Sequence, residues 1–123
     1  LQELREDIVD LTVTADAVTA DYTTGAVYYV DASSATADLT ADFTNLPTDD
    51  GKVINVTLIV SQGATGRIID TVEIGGSAAT IKWSGGAAPT ATSTSGAIDI
   101  FGFTFIRRGS AWTVLGSSST NFN

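Results

Sequence analysis

Carboxylates are the residues of this chain with the most chemistry to offer. Asp16, Asp21, Asp31, Asp38, Asp70, Glu73 and Asp99 recur along the sequence, and Asp42, Asp49 and Asp50 gather near one turn. Paired carboxyl groups can divide acid and base roles in glycoside hydrolysis, and carboxylates at set spacings can hold a hard cation. Neither pattern is met. The stretch Asp49-Asp50-Gly51 has the form of a turn and lacks the spaced oxygen ligands of a calcium loop. Alternation along the strands places most of the other acidic residues on outward faces or at strand ends, as solvated groups. Histidine and cysteine are absent, and there is no phosphate-cradling glycine loop or nucleophile elbow. The sequence therefore reads as non-enzymatic, with no metal, no cofactor and no disulfide framework.

The aromatic residues are the second chemical feature. Trp83 and Trp112, with Tyr22, Tyr28 and Tyr29, lie beside polar stretches, where an amphipathic ring can stack on a sugar or pack in a core. Trp112 follows a hairpin turn and reads as packing. Trp83 stands at the lip of a long Gly/Ala/Ser/Thr/Pro run, residues 84–97, and fits either role. Together with Thr90, Thr92 and Thr94 of that run it forms the candidate ligand-facing set.

Charge and length restrict the partners. Fourteen acidic residues against 6 basic ones give a net charge of −8, which repels phosphate backbones and anionic lipid, and the only adjacent basic pair is Arg107-Arg108. No apolar run reaches the roughly 20 residues needed to span a bilayer, and the start of the chain lacks the order of a signal peptide. Nucleic acid and membrane insertion are excluded on this reading. The 123 residues suit one domain, and the lack of methionine even at position 1 is expected of a fragment, a processed product or the ordered end of something longer.

The elements that must position these residues fall into two kinds. In residues 1–12, "LQELREDIVDLT", Leu1, Leu4, Ile8 and Leu11 are spaced three, four and three apart, like the seam of a coiled coil. This predicts a short helix that oligomerises, with packing on its own domain as the alternative. From Thr12 the period becomes two, and eight strands are expected near 12–22, 26–32, 36–43, 52–61, 67–74, 79–83, 97–108 and 111–116. Short turns at Gly25, Asp50-Gly51 and Gly109-Ser110 suggest antiparallel neighbours, and the polar tail "GSSSTNFN" is expected to fray. The fold expected is an eight-stranded antiparallel β-sandwich, jelly-roll-like, over 13–123, preceded by a coiled-coil helix over 1–12.

One strand stands apart. In "IDIFGFTFIRR", Ile98, Ile100 and Ile106 occupy one parity and Phe101, Phe103 and Phe105 the other, so both faces must be covered. Either face can be the core, and the second cover is a loop of the chain or another subunit. The rings of Phe101, Phe103 and Phe105 are assigned to an oligomer interface, together with Leu1, Leu4, Ile8 and Leu11.

The stretches "INVTLIVSQGATG" (54–66), "IKWSGGAAPT" (81–90) and "IDIFGFTFIRRGSAWTVLG" (98–116) resemble a recurring domain of tailed-bacteriophage virion proteins, the C-terminal domain of fibre-like structural proteins of marine cyanobacterial phages. The resemblance spans residues 12 to 116. It implies a virion structural protein on the particle surface, a fibre tip or knob that assembles with copies of itself, trimers being favoured. Partners would be other virion proteins and a host-surface glycan or protein. The alternative role is architectural, as a capsid fibre, decoration or adaptor protein. The resemblance also makes Gly85, Gly86 and Pro89 a structural turn and crossover, and leaves 90–97 as an exposed, adaptable loop.

Overall fold

The computed structural model describes residues 6–123. The described residues form ten strands: β1 (Ile8–Leu11), β2 (Ala17–Asp21), β3 (Val27–Asp31), β4 (Leu39–Thr44), β5 (Lys52–Ser61), β6 (Ile69–Ile74), β7 (Ser77–Ala79), β8 (Ile81–Trp83), β9 (Ile98–Arg108) and β10 (Ala111–Phe122). They make a six-stranded sheet in the order β1-β3-β5-β9-β10-β8 and a four-stranded sheet in the order β2-β4-β6-β7. The all-β expectation holds.

The connectivity differs from the antiparallel sandwich expected. Strands β1, β3 and β5 are parallel neighbours in the larger sheet, and β2, β4 and β6 are parallel neighbours in the smaller one. From β1 to β6 the chain thus crosses to the opposite sheet after every strand, winding as a three-turn coil. Its links are too long for two-residue hairpins and long enough to step the roughly 10 Å between packed sheets. Two-residue hairpins occur at Gly75-Gly76 and Gly109-Ser110, and in each both central residues have positive φ, as that turn requires. The second hairpin joins β9, which enters the large sheet antiparallel to β5, to β10, which runs antiparallel to β9. Both sheets are therefore mixed. The single strand expected over 79–83 is two, because Thr80 ends β7 in one sheet and the chain enters β8 in the other.

No helix forms at Ile8–Leu11. Those residues make an edge strand paired with β3, Val9 beside Tyr28 and Leu11 beside Val30. Val9 and Leu11 pack on the core, and Ile8 points outward at 50% exposure. The spacing of Ile8 and Leu11 had suggested a helical seam, but Val9 and Leu11 satisfy a strand's alternation equally well, and the ladder with β3 decides between them. Leu1 and Leu4 lie outside the described residues.

The phenylalanines expected at a subunit interface are the centre of the chain's own core. Phe101, Phe103 and Phe105 are essentially inaccessible, at 0%, 1% and 0% exposure, on the face of β9 that meets the smaller sheet. There Phe43 of β4 meets Phe105 and Phe103 edge-on at 5.0 and 6.0 Å between centroids. Tyr28, Trp83 and Trp112 extend this cluster through Phe43, Phe103 and Phe105 respectively. Rings in such edge-to-face contact add about 0.5–1.5 kcal/mol per pair beyond the burial of their area. The isoleucines of β9 take the outer face instead.

Two smaller departures follow from local geometry. A register shift where β6 meets β4 buries both Ile68 and Ile69, so strict alternation through the strand expected at 67–74 is broken by a bulge near Asp70. The tail continues as β10 to Phe122, because a backbone ladder with β9 holds even polar residues through Ser119 and then Phe122 opposite Ile98.

Candidate functional site

The long run 84–97 is built around one carboxylate. On β9, Asp99 shares the inward parity of the phenylalanines and is fully buried, as is Gln62, which follows β5 at the same end. The Asp99 oxygens accept from the Thr92 amide (3.0 Å), the Thr92 hydroxyl (2.8 Å), the Asn121 amide (2.8 Å) and Gln62 Nε2 (2.9 Å). Burial pushes this carboxyl up. The amides of Asn121 and Thr92, the Thr92 hydroxyl and the Gln62 amide outweigh that, and the group sits below its ordinary value of 3.8. Gln62 also bonds both backbone groups of Arg67, so one pair of side chains ties the loop, the turn after β5 and the end of β10.

The loop is fixed further by Gly66. Its amide donates to the Ser93 hydroxyl at 3.0 Å, and a Cβ there would lie 2.7 Å from the Thr92 carbonyl oxygen. Only glycine permits this approach. The backbone of Gln62 bonds Gly96 and Ala97 at 2.9 Å each, closing the base.

The four candidate ligand-facing residues therefore separate. Thr92 is half-buried and belongs to the Asp99 network, whereas Thr90 and Thr94 are exposed on the held loop. Trp83 is half-buried, its ring 5.9 Å from Phe103 and stacked over Gly116, where a Cβ would lie 2.8 Å from the indole. It packs, while its rim borders two shallow grooves. One, of about 280 Å³, lies beside Lys82, Leu115 and Ser117, and the other, of about 250 Å³, beside Ala87, Pro89 and Ser118. A larger groove of about 540 Å³ opens between β7 and β10, with Ser77, Thr80, Lys82 and Trp112 on its walls. Trp112 is committed to Phe105 on one side, and the Arg107 guanidinium lies 5.1 Å from its ring.

Six further carboxylates cap turns and links. Asp16 accepts from the Thr36 amide, Asp21 from Thr23, Asp31 from Ser33, Asp38 from Ile68, Asp42 from Gly76 and Asp50 from Ser110, all within 2.7–3.0 Å. Aspartate is favoured at such places because its short side chain reaches a backbone N–H in a turn. Among the described residues no group of three or more acidic side chains is arranged to hold a metal ion.

Sequence reasoning missed the Asp99–Gln62 pair, treating Asp99 as solvated. The signal was present for Gln62, which continues the inward parity of Ile54, Val56, Leu58 and Val60, whereas that of Asp99 depended on which face of β9 turns inward. Compared with known protein families, with curated proteins and with solved structures, the chain matches none.

Proposed function

We infer that the protein is a non-enzymatic structural component of a phage virion, a fibre tip or knob domain on the particle surface that assembles with copies of itself, in trimers. It binds other virion proteins and presents a loop to a host-surface glycan or protein. The virion assignment rests on the resemblance of residues 54–66, 81–90 and 98–116. The observation that carries the display role is the loop itself. Residues 90–97 are anchored through Thr92 to a buried carboxylate while Thr90 and Thr94 stay exposed. A loop held in one conformation loses little entropy on binding, and the Ser84, Ser117 and Ser118 hydroxyls beside the Trp83 rim suit a neutral sugar. Antibody raised to the domain should label fibre ends in negative-stain images of particles, and added soluble domain should reduce adsorption to host cells. Label on the capsid wall with adsorption unchanged would support the second reading, an architectural capsid fibre, decoration or adaptor protein. That reading is favoured by the apolar outer face of the large sheet.

A further inference from the structure

Four large hydrophobic side chains are exposed among the described residues: Ile8 at 50%, Val53 at 60%, Leu115 at 40% and Phe122 at 52%. All four fall on one surface. The ladders place Ile8 beside Val27, Val53 beside Ile106, Leu115 beside Thr104 and Phe122 beside Ile98, and these are the outward positions of the six-stranded sheet. Between them lie Tyr29, Ile59 and Ile100, paired in a row across β3, β5 and β9. The loop 84–97, the longest link among the described residues, is tied to Asp99 and Gly66 on the inner side instead of covering this surface.

Size and charge both suit a second copy as the cover. Six strands span about 24 Å, and the ten residues of β5 about 33 Å, a face of roughly 600–800 Å² once the short edge strands are allowed for. A stable protein–protein interface takes about 800 Å² from each partner. The chain carries a net charge of −8, yet the outward positions of this sheet hold two acids, Asp10 and Asp31, against two bases, Lys82 and Arg108. The face is neutral where the molecule is not. Its charges are also segregated, with the acids on β1 and β3 and Lys82 on β8 at the opposite edge. Copies related about an axis parallel to the strands bring the acidic edge of one toward the basic edge of the next.

We propose that the outer face of the six-stranded sheet is the self-association surface of the protein and that its occupant is the same face of another copy. This deepens the oligomer reading above by naming the surface. It is tested by sedimentation of the whole chain at micromolar concentration, with circular dichroism as a check on fold. Two variants probe the face, Ile59→Glu with Ile100→Glu at its centre and Val53→Glu with Leu115→Glu at its most exposed points. Thr40→Glu, on the other sheet's outward side, is the control. The wild type and control should sediment as oligomers, and the face variants as folded monomers with the dissociation constant raised about 100-fold. If the central variant loses its β spectrum, the exposed-point variant decides. An oligomeric wild type whose folded face variants still assemble would overturn the surface while leaving the oligomer reading intact. A monomeric wild type would overturn both and leave a different virion protein as the occupant. Neither result bears on particle labelling.

Discussion

The outward positions of β4 and β6 carry Thr40, Asp42, Thr44, Thr71 and Glu73, whereas those of β5 and β9 carry Val53, Ile59, Ile98, Ile100 and Ile106 among Asn55, Thr57, Ser61, Gly102, Thr104 and Arg108. Both sets alternate with core residues and obey the same pleat. The first is covered by water, with hydroxyls and carboxylates solvated or capping turns. The second sets a row of large apolar side chains among a few polar ones, such as the bonded Asn55 and Thr104, and the chain leaves that row uncovered at Val53. A period-two pattern that is apolar on only one side describes a complete sandwich, and one apolar on both sides describes a sandwich with a further surface to bury. The inner face of β9 contributes to folding, and on the present account its outer face contributes to assembly.

The comparison breaks most readily in the core. Phe43→Ala removes the ring that contacts Phe103, Phe105 and Tyr28, and should cost about 3–5 kcal/mol in denaturant melts, with no dependence on protein concentration. A loss below about 1 kcal/mol would mean that the two sheets are not packed through this cluster.

Next in size is the buried carboxylate. Asp99→Ala leaves two backbone amides, the Thr92 hydroxyl and the Gln62 amide without their acceptor, and should cost about 2–4 kcal/mol. Hydrogen exchange should quicken at Thr92 and Asn121 while the amides of β4 stay protected. The same group sets an acid response. Its carboxyl lies below 3.8 in the folded chain, so its contribution is complete at neutral pH and is lost as pH falls below that value, where the unfolded chain binds the proton first. Asp16, Asp21 and Asp31 act in the same direction, lowered chiefly by bonds from the Thr36, Thr23 and Ser33 side chains. Stability should be flat from neutrality to about pH 4 and fall below it, and Asp99→Asn should flatten that fall.

The smallest effect expected is on the display loop. Thr90→Ala with Thr94→Ala should change stability by less than about 0.5 kcal/mol, since both side chains are exposed, and should weaken binding of soluble domain to host cells. Unchanged binding would remove the loop from the ligand site and favour the architectural reading.

Much of this contrast was legible in the residues, and what was not has physical causes. The alternation in 52–61 and the double apolarity of 98–106 located the two central strands and the uncovered face. Which parity of β9 faced inward depended on Phe43 arriving from the other sheet, a contact that no local spacing encodes. Ile8 and Leu11 fit a helical seam, and Val9 and Leu11 fit a strand; four residues are too few for periodicity to choose. The parallel winding was hidden because links of several residues can either close a hairpin or step between sheets. In the loop, the turn at Gly85 and Gly86 was expected, but the anchoring of Thr92 depended on the parity of a single aspartate.

Paired thermal melts of Phe103→Ala and Ile100→Ala over a wide range of protein concentration separate the folding face of β9 from its assembly face. Phe103→Ala should lower the melting temperature by a similar amount at every concentration, since its ring lies in the chain's own core. Ile100→Ala should melt well below wild type when dilute and recover as concentration rises, because association stabilises the folded state by mass action. If Phe103→Ala were the variant rescued by concentration, or if neither wild type nor Ile100→Ala depended on it, the outer face would not be an interface between copies and the account would fail.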